Sequence, residues 1–206
     1  MSENFSVFWY LNENLFSLEK SEHKDIHNKF IDKVKDIQKK QKAIFIKEYF
    51  IKYEDDYLPS WILFEELTIW SISTVLNILK SEHCKNIALN YDTYYVDLRK
   101  WLNLLVQVRN ISAHHSRLWN NNYIIRPRIE DVIFKNKFLL EEKNNIKEVI
   151  SNYYNTALIL NYLLKHINKN LNLHWLDNIK ALFNEFELVK KEKMWFIDNR
   201  EDNFWQ

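Results

Sequence analysis

Arg109 and His114 lie five residues apart in the string Val108-Arg109-Asn110-Ile111-Ser112-Ala113-His114-His115-Ser116-Arg117-Leu118-Trp119-Asn120. Histidine is the side chain best able to take and return a proton near neutral pH, and arginine is a permanent, fork-shaped cation that fits a phosphate. Together they suffice for metal-free RNA cleavage. A base draws the proton from a ribose 2′-OH, the oxygen attacks the adjacent phosphorus, and a cation steadies the charge on the phosphate oxygens. The blander reading of the same residues is a structural His–His pair, with one ring hydrogen-bonded in a loop. Adjacent histidines point in different directions, and zinc ligands on a helix are spaced three or four apart, so neither a metal nor another cofactor is expected. Ser112 and Ser116 beside histidines invite a hydrolase reading, but no glycine elbow or acidic third member lies nearby.

The element that must position these residues is a periodic segment over about 94–112, with Leu98, Trp101, Leu102, Leu105, Val108 and Ile111 or Ser112 on one stripe. Its geometry limits the chemistry. On an ideal helix of roughly 3.6 residues per turn, residues five apart point about 140° from each other. Arg109 and His114 therefore converge on one phosphate only if the helix ends or distorts near Ser112–His114, or if a second copy of the chain supplies the partner groups. Asn110 is placed to brace either side chain by a hydrogen bond.

From Leu98 to Ile129 the chain has no acidic residue, yet it carries Arg99, Lys100, Arg109, Arg117, Arg126, Arg128, His114 and His115. Trp101, Trp119 and Tyr123 are interleaved with them, as in a single-stranded nucleic-acid groove where cations hold phosphates and aromatic faces stack bases. His115, Arg117, Trp119, Arg126, Arg128 and Lys100 are the residues expected to touch RNA. The same composition also fits cations that complement a helix C-terminus and aromatics that pack in a core.

The 206 residues, 47% of them hydrophobic, can bury a real core, while a net charge of +1 says nothing in favour of nucleic acid by itself. Glycine is absent and there are two prolines, which favours helices joined by Asn- and Lys-rich loops. Cys84 is the single cysteine and excludes an intramolecular disulfide. No stretch reaches the roughly 18 apolar residues of a membrane span and no signal-peptide layout opens the chain, so a cytoplasmic location is expected, with no membrane partner. Helical patterns are read over 22–51, 59–81, 84–90, 144–167 and 173–190, with no credible strand pair. The expected class is all-α.

The string from Arg109 to Asn120 resembles the signature of the Abi-like family, the AbiD and AbiF type of abortive-infection protein. Its first part is similar to the Arg-x4-6-His motif of the HEPN superfamily. Phe8-Trp9-Tyr10-Leu11, the stretch from Phe45 to Tyr53, Leu58-Pro59-Ser60-Trp61 and the block from Ala157 to Leu164 resemble family blocks in the same order. The resemblance implies a HEPN-like helical bundle with additional helices, divided as an N-terminal helical segment 1–57, a core 58–170, and a C-terminal helix and tail 171–206. It implies a metal-independent endoribonuclease of an anti-phage system, a toxin with Arg109 and His114 catalytic and Asn110 supporting them. It also implies a homodimer with two motifs facing one cleft, and products ending in a 2′,3′-cyclic phosphate. Because the family begins with further helices ahead of the Phe8 block, a second copy or another chain is expected to complete the packing. RNA enters as substrate and as a regulatory noncoding RNA. The alternative is a non-catalytic module that binds a noncoding RNA or a protein.

Overall fold

With no glycine in the chain, left-handed backbone falls on residues that carry a Cβ. Among the described residues these are Gln41, Asp92, His115 and Asn120, with φ of 39°, 44°, 53° and 50°. Each marks a helix end or a turn. The computed structural model describes residues 1, 5–130, 137–143, 146–186, 191–194 and 196. Eight α-helices and one two-stranded sheet lie among them, so the protein is mostly helical, as expected. By packing, the chain forms two units, 1–86 and 87–206. The 58–170 core follows from family resemblance rather than from packing, and it stays a proposal.

In the first unit, α1 (Ser21–Lys40) buries His27, Phe30 and Val34 and packs on α4 (Ile69–Ile78), leaving its lysines mostly outward. The single helix expected over 22–51 is two. Gln41 turns left-handed and its N–H bonds the Ile37 carbonyl at 3.0 Å, after which α2 (Ile44–Lys52) starts afresh. The helix expected over 59–81 is likewise split into α3 (Ser60–Glu66) and α4, because Thr68 caps the second piece by accepting the Ser71 N–H at 3.2 Å. Tyr10 donates to the Leu58 carbonyl at 2.6 Å and fixes the turn before α3. α5 (Ser81–Leu89) contains the division between the units.

The second unit is built on α6 (Tyr95–Ala113), α7 (Tyr153–Ile167) and α8 (Lys169–Glu185). Its core gathers Leu98, Trp101 and Leu104 of α6 with Tyr154, Leu158 and Ile159 of α7 and Leu176 and Ile179 of α8. The helix expected from 144 starts at Tyr153, and the expectation of no strand pair is corrected. β1 (Leu140–Lys143) and β2 (Ile146–Val149) pair antiparallel, with Glu141 opposite Glu148. Ile146, Val149, Ile150 and Tyr153 fit a helical stripe, but so short an apolar pattern also fits a strand that runs into a helix. Asn152 settles the boundary, since its side chain accepts the Asn155 N–H at 2.9 Å. The buried Asn155 then bonds both backbone groups of Leu139 at 2.9 Å and the Ile150 carbonyl at 2.7 Å, tying β1 to α7. α8 begins four residues before its expected start, behind an Asn168 cap, and 187–190 lie outside the described residues.

Candidate functional site

The inward face of α6 carries Asp97, Leu98, Trp101, Leu104 and Val106, all buried, so the helix is fixed in rotation as well as position. Trp101 donates from Nε1 to the Arg128 carbonyl at 2.9 Å and meets Tyr162 of α7 edge-on at 5.5 Å. That rotation leaves Arg109, Asn110, Ser112, Ala113 and His114 exposed at the C-terminal end. Arg109 donates from Nη1 to Asn110 Oδ1 at 3.2 Å, the bracing contact expected of Asn110. Ser112 Oγ donates to the Val108 carbonyl at 3.0 Å, which keeps it occupied within the helix.

The helix ends at Ala113, and His114 caps it. The His114 N–H still bonds the Asn110 carbonyl at 3.1 Å, whereas those of His115 and Ser116 turn back to Ser112 and Ile111, each at 3.0 Å. With His115 left-handed at φ 53°, this is a Schellman stop built without glycine. The His114 backbone itself, at φ −94° and ψ 16°, has left helical geometry. The end at Ala113 falls within the Ser112–His114 stretch, where the helix has to end or distort for both groups to reach one phosphate from one chain. Both imidazoles are exposed, and among the described residues neither has a hydrogen-bond partner. The ring hydrogen bond of the blander reading is therefore not found among the described residues, and it is the His115 backbone N–H that holds the turn, on Ser112.

Downstream, the loop is pinned at several points. Tyr123 is buried and donates to the Leu118 carbonyl at 3.0 Å, while Asn121 Nδ2 donates to that of Arg117 at 3.2 Å. Burial, aided by the nearby Tyr153, pushes the Tyr123 hydroxyl above its ordinary range. Gln107 of α6 accepts the Ile125 N–H at 2.9 Å and draws the loop back to the helix. Of the three aromatics in the basic segment, Trp101 and Tyr123 are core, at 1% and 5% exposure, and Trp119 at 44% faces solvent beneath the Arg117 guanidinium.

The cations are unequal. Arg126 forms ion pairs with Glu141 and, at 2.7 Å, with Glu148 of the hairpin, and Arg128 pairs with Glu130 and lies 4.0 Å from buried Asp97. The acid-free stretch of sequence is therefore not acid-free in space. Lys100, Arg109 and Arg117 are exposed, and the described residues hold no acidic partner for them. Sequence reasoning missed Gln107, Glu141 and Glu148. Only the cross-strand pairing places the last two together, and an Asn-Asn pair between two short runs was the signal for it. No group of histidine, cysteine and acidic residues suited to a metal ion occurs among the described residues, nor a helix long and apolar enough to cross a membrane.

A family model described as Abi-like protein matches residues 1–120, a span that ends on the last residue of the Arg109–Asn120 string. Comparison with curated proteins and with solved structures gives no match.

Proposed function

The chain belongs to the Abi-like protein family, and on that premise we propose that it is a HEPN-type endoribonuclease acting in abortive infection, with Arg109 and His114 as its catalytic pair. The observation that carries this reading is the state of its histidines. His27 and His83, the packing histidines, are 3% and 8% exposed, while His114 and His115 stand exposed beside an equally exposed Arg109. A histidine kept for packing has no reason to sit there.

In the proposed reaction His114 exchanges the proton at the ribose 2′-oxygen or the leaving 5′-oxygen. The O2′–P bond forms as the P–O5′ bond breaks, the 2′-OH proton is removed, and a proton is delivered to the departing oxygen. Arg109, oriented by Asn110, neutralises charge on the non-bridging phosphate oxygens. Two copies of the chain face one cleft, and Arg109 of one copy works there with His114 of the other. His115, Arg117, Trp119 and Lys100 line the path of the RNA. Arg126 and Arg128 contribute less than the sequence implied, because carboxylates already neutralise them.

Incubating the purified chain with single-stranded RNA in excess EDTA tests the reading. The expected products end in 2′,3′-cyclic phosphate and 5′-hydroxyl. RNA that is bound with ordinary salt dependence but left intact would assign the chain to the non-catalytic alternative.

A further inference from the structure

Trp119 is large, apolar and 44% exposed, yet it does not dangle. Single exposed aromatics are common and need no explanation by themselves. This one is held on both sides. The Arg117 carbonyl takes the Asn121 side-chain amide, the Leu118 carbonyl takes the Tyr123 hydroxyl, and the Asn120 N–H bonds the Lys193 carbonyl at 2.9 Å. Leu118 between the two exposed residues is half-buried against the core of the second unit. The Arg117 guanidinium sits 5.5 Å from the centre of the indole ring, so one face is covered by a cation and the ring's orientation is set.

A fixed indole with a cation on one side has the form of a stacking platform, because every nucleobase has a π-face and stacking on an aromatic needs no sequence. Bases inside a duplex already stack on both faces, whereas an unpaired base is free to take the indole. Resting on the ribonuclease reading above, we propose that Trp119, oriented by Arg117, holds an unpaired base next to the phosphate handled by Arg109 and His114, and so restricts the substrate to unpaired RNA. Trp119 is a specificity-determining residue and not a catalytic one.

The test uses the full chain carrying His114→Ala, to prevent turnover, with and without a change at Trp119. Binding of fluorescein-labelled oligoadenylate and of a duplex RNA is followed over a range of salt. Trp119→Ala and Trp119→Leu are expected to weaken oligoadenylate binding by about tenfold or more, the usual scale for one lost stacking contact, with the salt slope unchanged. Trp119→Phe keeps most of the affinity, and duplex binding does not move. Equal affinity in Trp119→Leu, which keeps apolar bulk without a π-face, overturns the proposal, as does an equal loss for duplex and oligoadenylate. If the chain with Trp119 intact binds no RNA at low salt, the ribonuclease reading itself falls and takes this proposal with it. Unchanged cleavage of single-stranded RNA by the Trp119→Leu chain, with His114 restored, defeats the platform alone.

Discussion

His114 and His115 are neighbours in sequence and do different work. His114 caps the helix, its N–H bonding back to Asn110, and among the described residues its imidazole has no hydrogen-bond partner. His115 pays the conformational cost of the turn, because a residue with a Cβ at φ 53° is strained by roughly 1–2 kcal/mol. His115→Gly is therefore expected to melt no lower than the unaltered chain, and His115→Val to be destabilised by about 1–2 kcal/mol. Thermal unfolding checks both, and a clear loss of stability in His115→Gly would mean the ring, rather than the backbone, secures the turn. Part of the candidate site was legible here. Residue types alone mark Arg109 and His114, and the Asn110 brace follows from a short polar side chain next to an arginine. The left-handed turn at His115 was not, because without glycine nothing in the sequence flags a positive φ.

Between α6 and α7 the hairpin sets two like charges face to face, Glu141 opposite Glu148, and Arg126 bridges them. Like charges directly opposite on a ribbon destabilise it, so Arg126 acts as a clamp on the hairpin. All three groups are partly exposed, and the expected effect is correspondingly modest. Arg126→Ala lowers the melting temperature slightly, and Glu148→Gln added to it restores most of the loss by removing the repulsion. RNA affinity of Arg126→Ala retains its salt slope, since this guanidinium is committed to carboxylates. A slope reduced by about one would return Arg126 to the set of phosphate contacts. The helices were legible where the apolar stripe was long, as in α6, and illegible where a side-chain cap cut it. Thr68 and Asn152 each start a helix inside what reads as continuous periodicity. A capping threonine or asparagine looks like an ordinary helix residue until its side chain is seen to accept a backbone N–H.

On the scale of the whole molecule, the outward faces of α3 and α4 leave Trp61 and Trp70 at 55% and 59% exposure, whereas the apolar stripe of α6 is covered inside the second unit. Association is therefore expected through the first unit or, in the proposed two-copy site, through the C-terminal ends of α6, and light scattering at micromolar concentration should find a dimer. A monodisperse monomer that still cleaves RNA would remove the two-copy site. If the site is shared, mixing Arg109→Ala chains with His114→Ala chains restores part of the activity that each lacks alone, because a mixed pair rebuilds one intact cleft. One preparation of His114→Ala tests most directly whether His114 exchanges the proton, through its cleavage rate in EDTA, its RNA affinity and its melting temperature. Cleavage should fall by on the order of 10²-fold or more, while affinity and melting stay close to those of the unaltered chain. Full EDTA-resistant cleavage by the folded variant would contradict the assignment.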